Sequence, residues 1–343
     1  MRIEMKKNIV MLAALTLSIC SLGTAHAEAD KGKNILKQYV NVLAAESDSG
    51  KRQDAFKKMS EFEPQTEGQI DFILNAIKSD DRKVSLAGQR ALGNVKDKKL
   101  VPKVIAALED KDRQVKVGAI RAAGKLKDKR AVPFLLRHLD EDEFVASNAS
   151  FALANIGDED AIPALLERIG KRNGSFATAL AMFGASALDA IVENVLDENK
   201  HVNKKQRLKK IQAIGFIKDR KAIPLLKKML KNEDEKIRVA SAMALSNLGE
   251  LPVADTIKDS SPSVRLCVIE ASRNLNDPQI NHILTKVFAK DDRYEVRILA
   301  AKVLAHRKSY EAIPYLEEGL TDTNKEIRIV AKEALEAITN DIR

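Results

Sequence analysis

The feature that most constrains this chain is an internal repeat with a period of about 30 residues. We define the anchor of each repeat as the residue that opens its first predicted helix. Consecutive anchors are 31, 30, 30, 31, 31, 27, 32 and 31 residues apart. Such a period indicates stacked, self-similar segments rather than one closed core. The anchors are Val84, Val115, Val145, Ser175, Gln206, Ile237, Val264, Val296 and Ile327.

The same punctuation recurs around the anchors and predicts a helical hairpin in each repeat. Asp, Asn or Ser three residues before the anchor caps a helix N-terminus. Asp thirteen residues after the anchor suits a tight turn, and Pro eighteen after it suits the first turn of a second helix. The caps are Asp81, Asp112, Asp142, Asn203, Asp234, Ser261 and Asn324; the turn residues are Asp97, Asp128, Asp158, Asp219 and Asp277; the prolines are Pro102, Pro133, Pro163, Pro224 and Pro314.

Alanines seven residues after the anchor predict close packing between hairpins, because small residues let helices approach. One hairpin cannot bury its apolar stripes alone, so a neighbour must cover each side. The pattern therefore predicts an all-α fold, an α-solenoid or superhelix of stacked αα-hairpins. These alanines are Ala91, Ala122, Ala152, Ala213, Ala244, Ala271 and Ala334.

The segment 115–124 followed by 128–133 resembles the phycobilisome-lyase-type HEAT-like repeat, and the same pattern returns at 237–248 and 296–314. The resemblance implies a HEAT-like repeat solenoid over residues 79–343. Capping helices and a degenerate repeat are expected over 28–78, with Asn34 to Ala45 capping the stack. The family includes scaffolds, lyases and hydroxylases, so the resemblance identifies an architecture and does not select a function.

Residues 1–27 are predicted to be a signal peptide, which places the mature chain in the periplasm or outside the cell. A basic start and an apolar run over 8–19 precede Ala25-His26-Ala27, a small-x-small cleavage pattern. Translation starts at Met1 or Met5. A lipid anchor at Cys20 is the alternative, disfavoured by the bulky Ile19 before it. Cleavage after Ala27 leaves one cysteine and therefore no internal disulfide.

The repeat at 201–231 carries a charge of +10, more than the net charge of +9 for the whole chain. Lys210 stands where Ala119, Ala149 and Ala300 stand in other repeats. The cluster is either a solvated lysine face or an anion-binding patch. The candidate binding residues are Lys204, Lys205, Arg207, Lys209, Lys210, Arg220, Lys221, Lys227, Lys228 and Lys231.

Other departures from the pattern predict local changes of structure. The repeat at 171–200 has Arg172 in place of a cap and no proline, which indicates a decayed repeat or, alternatively, a hinge or pocket. Its bulky Phe176, Met182 and Phe183 are expected to repair the packing. The 27-residue spacing around 251–253 predicts the loss of about one turn from a second helix.

An arginine follows the anchor in each of the last five repeats. We expect these arginines to pair with acidic residues of the adjoining repeat and to have a structural role, since isolated surface ion pairs contribute only about 0–1 kcal/mol. They are Arg207, Arg238, Arg265, Arg297 and Arg328.

The residues expected of a catalytic or metal site are absent from the sequence. The five histidines are scattered, no His-Glu dipeptide of the hydroxylase type occurs, and no zinc spacing is present. The acidic runs 140–143 and 158–160 fall at predicted caps and turns rather than in a calcium loop. Cys267 is expected to be a buried, inert thiol.

The sequence therefore predicts a non-enzymatic scaffold without a cofactor that binds a protein or peptide partner, of acidic character if the basic repeat makes the contact. Weak contact with an anionic envelope surface is a further expectation, and no transmembrane span is predicted. Predicted export and an aromatic content of 4% disfavour nucleic acid. The alternatives are a bilin-lyase-like or hydroxylase-like enzyme and a lipid-anchored envelope scaffold.

Overall fold

The computed structural model describes residues 31–170, 175–196 and 203–340, and these residues form an all-α solenoid without a β-strand. The chain divides into two compact units, one ending at Ala161 and the other beginning at Ile162. The N-terminal unit contains α1 (31–45), α2 (Ser49–Ser60), α3 (Glu67–Ile77), α4 (Arg82–Leu92), α5 (Val101–Ala107), α6 (Arg113–Leu126), α7 (Val132–Arg137) and α8 (Glu143–Ile156).

The C-terminal unit is built in the same way from hairpins of a first and a second helix. It contains α9 (Ile162–Arg168), α10 (Phe176–Met182), α11 (Ala185–Leu196), α12 (Lys204–Ile217), α13 (Ile223–Met229), α14 (Glu235–Asn247), α15 (Val253–Thr256), α16 (Pro262–Ala271), α17 (Gln279–Lys290), α18 (Tyr294–His306), α19 (Ile313–Gly319) and α20 (Lys325–Thr339).

Within each unit, the first helix of one hairpin packs against the first helix of the next, as α4, α6 and α8 do in the N-terminal unit and α12, α14 and α16 in the C-terminal unit. Seven of the anchors are buried apolar residues, which confirms the predicted seam. The other two anchors differ: Gln206 is buried but polar, and Ser175 is only half-buried, because α10 begins one residue later and Phe176 fills the core instead.

The predicted caps and turns are confirmed with one exception. The caps Asp81, Asp112, Asp142, Asn203, Asp234 and Asn324 accept backbone N–H groups with their side chains. Ser261 stands at the cap position of α16, but its hydroxyl donates to Glu235 instead. The five turn aspartates each accept a backbone N–H group, and the five prolines lie in the first turn of a second helix.

The close packing predicted from the alanines is found at two equivalent glycines. A Cβ atom added to Gly124 would lie 2.8 Å from the Cα atom of Ala152, and one added to Gly215 would lie 2.8 Å from that of Ala244. Only glycine therefore allows these first helices to approach so closely. Ala271 departs from the pattern, since it is half-buried.

The five arginines that follow the anchors in the C-terminal unit are called the arginine ladder. Their predicted pairing with acidic residues is confirmed at three of the five positions. Arg238 pairs with Asp259 at 2.8 Å and Arg265 pairs with Asp291 at 2.8 Å. Arg297 pairs with Asp322 in the same way. Each carboxylate lies in the loop that leads into the next hairpin and also accepts a backbone N–H group there. Arg328 reaches only the backbone carbonyls of Asp322 and Thr323 and pairs with no described acidic residue.

Single segments confirm two of the predictions and contradict a third. Helices are present throughout much of 31–78, and Leu36 and Leu43 of α1 are fully buried. The helix α15 has 4 residues where α13 has 7, so the predicted turn is lost. Met182 is 47% exposed and does not repair the core as expected.

Some predictions lie outside the described residues, among them the leader at 1–27, Cys20 and Arg172. Within 31–170, 175–196 and 203–340, every helix lacks the combination of length and apolarity that a bilayer crossing requires.

Candidate partner-binding surface

The basic repeat forms the hairpin α12–α13, and the ordinary framework residues hold it in place. Asn203 and Gln206 make a reciprocal capping box at the start of α12, and Asp219 caps the turn before α13. Lys218 adopts a left-handed backbone conformation at φ 58° and ends α12. The charge is therefore added to a hairpin with regular local structure.

Two of the predicted binding residues are occupied by ion pairs with the next hairpin. Lys204 lies 2.5 Å from Asp234, and Arg220 lies 2.5 Å from Glu250. The hydrogen bond from Lys204 holds the pKa of Asp234 below its ordinary value. These two cations join α12–α13 to α14 and the loop after it, so they contribute less free charge than the sequence suggests.

Lys210 does not belong to a surface patch, and its inclusion among the binding residues is wrong. Its side chain is only 3% exposed and makes an interaction inside the protein. A long aliphatic stem lets lysine fill a position that is alanine in other repeats.

The remaining lysines fall on two faces of the hairpin. On the second-helix face, Lys227 and Lys228 of α13 and Lys231 of the turn after it line a cavity of about 670 Å³, together with Lys258 from the next hairpin. All four are exposed. The cavity lies where α15 is one turn short, so the sequence anomaly and the basic cluster meet. Lys221 is also exposed, at the turn before α13.

On the first-helix face, α12 and α14 line a groove of about 610 Å³. Lys205, Lys209 and Lys236 lie at its edges, and Phe216 and Met243 are 45% and 49% exposed within it. Lys209 Nζ donates to Gln212 at 3.2 Å. Lys236, Lys258, Phe216 and Met243 line these two recesses but are not among the predicted binding residues. Phe216 and Met243 replace residues that are polar in most other repeats.

Arg207 occupies the first position of the arginine ladder but lacks the acidic residue found at the later positions. Asn232 stands 26 residues after its anchor, where Asp322 stands in the ladder, and accepts the Asp234 N–H group at 3.0 Å. The turn is therefore kept while the negative charge is removed. Arg207 is half-buried, its Nε has no hydrogen-bond partner, and it pairs with no described acidic residue.

The side chains that could serve as metal ligands or nucleophiles include His, Cys, Asp and Glu. Among the described residues, no three His, Cys, Asp or Glu side chains converge as a metal site requires. Cys267 is half-buried rather than fully buried, but burial raises the pKa of its thiol to about 11. It donates to the carbonyl of Val239 at 3.7 Å, which is a structural contact.

The sequence matches two family models. The model of HEAT repeats matches residues 70–149, 192–257 and 251–336, which together make up more than half of the chain. The model of the PBS lyase HEAT-like repeat matches residues 145–170. No curated protein matches the sequence.

Solved structures that match this chain include Kap95, importin beta and a phycocyanin lyase. The Kap95 chain of a Kap95:Nup1 complex is 15% identical with a TM-score of 0.54, and the match covers 89% of this chain and 52% of that one. Importin beta is 15% identical with a TM-score of 0.51, covering 90% and 55%. The phycocyanin lyase CpcE–CpcF of Nostoc sp. PCC7120 is 21% identical with a TM-score of 0.29, covering 80% and 96%.

The likeness to Kap95 and importin beta shows the fold alone. This chain spans about half of the length of the Kap95 and importin beta chains that it matches.

Proposed function

Because the chain belongs to the HEAT repeat family, we propose that it is a non-enzymatic scaffold that holds an acidic protein or peptide partner. The solenoid fold supports a binding role, since stacked hairpins present an extended surface rather than a closed pocket. Kap95, which has a similar fold, has been solved with the protein Nup1. The partner contact is assigned to the second-helix face of α13.

The observation that carries this proposal is the cluster of exposed lysines beside the shortened helix α15. Lys227, Lys228 and Lys231 are exposed, and no described carboxylate lies within ion-pairing distance of them. Asp259, which also lines the cavity, is already paired with Arg238. The exposed Asp255 also lines the cavity, so four lysines there face one carboxylate without an ion pair among the described residues. This excess of positive charge raises the local concentration of anions and steers an acidic partner.

The scaffold is further proposed to act outside the cytoplasm, on the basis of the leader at 1–27. Mass spectrometry of the protein purified from its own host tests this. An N-terminus at Glu28 is expected, whereas a lipidated N-terminus at Cys20 identifies the anchored alternative. An N-terminus at Met1 or Met5 contradicts export by this route.

Charge reversal tests the partner surface. The triple variant Lys227→Glu, Lys228→Glu, Lys231→Glu is expected to lose capture of partners from an envelope fraction, and wild-type capture is expected to weaken with salt, since screening shortens the range of attraction to about 8–10 Å or less. The matched control is Lys83→Glu, Lys98→Glu, Lys99→Glu, which changes the charge equally at exposed lysines of the N-terminal unit.

Equal loss of capture in both triple variants would show that only net charge matters, and unchanged capture across salt concentrations would contradict the proposal.

The enzyme alternative makes a different prediction. A bilin-lyase-like or hydroxylase-like protein should carry chromophore absorbance or stoichiometric iron after purification from its host, and either result replaces the scaffold role.

A further inference from the structure

We infer that the groove between α12 and α14 is a second docking site, which takes a short amphipathic segment of a partner protein with acidic residues at one end and large apolar residues at the other. The inference rests on the proposed scaffold function and adds a surface on the opposite helix layer of the same hairpin. It is carried by the composition, coverage and polarity of the groove.

The apolar residues of the groove replace polar residues at equivalent positions of most other repeats. Phe216 lies ten residues after its anchor, where most other repeats have a polar residue and two have Ala185 and Ala337; the polar residues are Asn94, Lys125, Asn155, Asn247, Asn274 and His306. Met243 lies six residues after its anchor, where most other repeats have a polar residue and two have Phe151 and Ala181; the polar residues are Arg90, Arg121, Gln212, Glu270, Lys302 and Glu333. Packing does not explain the change, because both side chains are nearly half exposed. Two such replacements on adjoining helices create an exposed apolar surface of the kind that marks interaction sites.

Two aromatic rings of the N-terminal unit have an arginine over them, whereas Phe216 has none among the described residues, although Phe144 and Phe216 are exposed to the same extent, 47% and 45%. Arg90 lies 5.0 Å from the ring centre of Phe56, and Arg121 lies 5.8 Å from that of Phe144. Both arginines stand six residues after their anchors. The corresponding residues around Phe216 are Gln212 and Met243, and no cation lies over its ring among the described cation–ring contacts. The groove therefore has an apolar floor without an intramolecular cover.

The groove is polarised along its length. The pair of Lys204 with Asp234 joins the starts of α12 and α14, and the contact of Gly215 with Ala244 joins their later turns, so the two helices run in parallel. Lys205, Lys209 and Lys236 therefore lie toward one end, and Phe216 and Met243 toward the other. Glu235 lies at the lysine end and is hydrogen-bonded to Ser261. An occupant must accordingly carry its acidic residues at the lysine end.

The size of the groove fits about three turns of helix. The lining residues of α12 extend from Lys205 to Phe216, which at 1.5 Å per residue corresponds to about 17 Å. A groove between two helices accepts a third helix through ridges that enter it, with apolar anchors at i, i+3, i+4 and i+7. A flat bilayer cannot fill such a recess, and this favours a peptide segment over a lipid surface.

Selection from a phage-displayed library of peptides of about 12 residues tests the inference, with the full mature chain as bait. Enriched peptides are expected to carry Asp and Glu in one half and Phe, Leu, Ile or Met in the other. Their affinity, measured by fluorescence anisotropy of the synthetic peptides, should fall at least about tenfold for Met243→Glu and for Phe216→Asn. Other repeats carry these residues at the same positions, so both variants are expected to fold.

The controls separate this groove from the lysine cluster of α13. Ile329→Glu changes a residue of the same exposure, 48%, in another repeat and should alter affinity by less than about twofold. The variant Lys205→Glu, Lys209→Glu should weaken binding strongly at low salt and less at high salt. Circular dichroism of each variant verifies that helix content is kept.

Peptides that bind Met243→Glu and wild type equally, or that are enriched in Lys and Arg, would overturn the inference. Peptides that lose affinity only in the Lys227, Lys228 and Lys231 triple variant would overturn it as well, while supporting the proposed function. If anionic phospholipid vesicles sediment the wild-type chain and neither Met243→Glu nor Phe216→Asn, the groove is a lipid site rather than a peptide site.

Discussion

The helices α4 to α8 of the N-terminal unit and α12 to α14 of the C-terminal unit use one framework and differ in how their surface groups are paired. In the former, Lys116 follows its anchor and pairs with Glu141 at 2.9 Å. In the latter, Arg207 has the same repeat position, and the neutral Asn232 stands where Glu141 stands in the former, 26 residues after the anchor. Arginines lie over the rings of Phe56 and Phe144 in the former, and no cation of the described residues lies over Phe216 in the latter.

This difference separates two kinds of position within a repeat. Anchors, caps, turns and packing glycines are the same in both regions, because they stack one hairpin on the next. Positions one, six, ten and 26 residues after the anchor can change without loss of the stack. Where their groups find partners within the chain, the surface is closed. In the region α12–α14 the groups at these positions lack such partners, and the region is left with unpaired charge and exposed apolar surface.

The largest expected effect on stability comes from removing an arginine of the ladder that is buried and ion-paired. Arg265 is 8% exposed and is bound by Asp291, Asp292 and two backbone carbonyls. Arg265→Ala should cost about 3–5 kcal/mol of unfolding free energy, because it leaves a buried carboxylate unpaired. Arg207→Ala should cost less than about 1 kcal/mol. Urea unfolding with local hydrogen exchange measures both, and equal losses would show that Arg207 is paired after all.

A smaller effect tests whether the framework is shared. Gly124→Ala and Gly215→Ala should each destabilise by about 1–3 kcal/mol, since the new Cβ atom would meet the backbone of the facing helix. Gly118→Ala in α6 is the control. Its Cβ atom would lie 3.2 Å from a flexible glutamine side chain, and alanine favours the helix by about 1 kcal/mol. Loss at only one of the two packing glycines would show that the two regions stack differently.

The ion pairs of the arginine ladder should lose their stabilisation in acid, and adding the missing carboxylate to the hairpin α12–α13 should introduce the same pH dependence there. Burial acts to raise the pKa of Asp259, but hydrogen bonds from Arg238 and Ser261 outweigh it, and the pKa lies below 3.8. The stabilisation is therefore present above pH 3.8 and lost as the pH falls through the folded pKa. Asp259→Asn should remove this loss, on the order of 1 kcal/mol.

The reverse variant, Asn232→Asp, should add stability above the same pH and lose it again in acid. Thermal unfolding between about pH 5 and about pH 2 measures both variants. A flat response of Asn232→Asp would mean that the new carboxylate does not reach Arg207.

The smallest effect tests the covered rings. Arg121→Ala should cost about 0.5–1 kcal/mol, the contribution of an exposed cation over an aromatic face. Met243→Arg places the same residue beside Phe216 and should stabilise by a similar amount. Thermal unfolding of the two variants provides the comparison. No gain in Met243→Arg would indicate that Phe216 does not lie within reach of the repeat's sixth position.

Most of the framework could be predicted from the sequence, because caps, turns and buried anchors obey local rules that hold in every repeat. The shortened α15 followed from a spacing alone. The burial of Lys210 could not be predicted, since a lysine stem packs like an alkyl chain while its charge indicates a surface. The missing partner of Arg207 and the open ring of Phe216 depend on contacts between repeats, and only position-by-position comparison of the repeats points to them.

The central claim is that α12–α15 form the partner surface and that the other hairpins are framework. Hydrogen–deuterium exchange of the full chain, with and without its captured partner or a selected peptide, tests this most directly. We expect slower exchange confined to α12, α13, α14 and α15. Slower exchange confined to α4–α8, or spread evenly along all described helices, would contradict it.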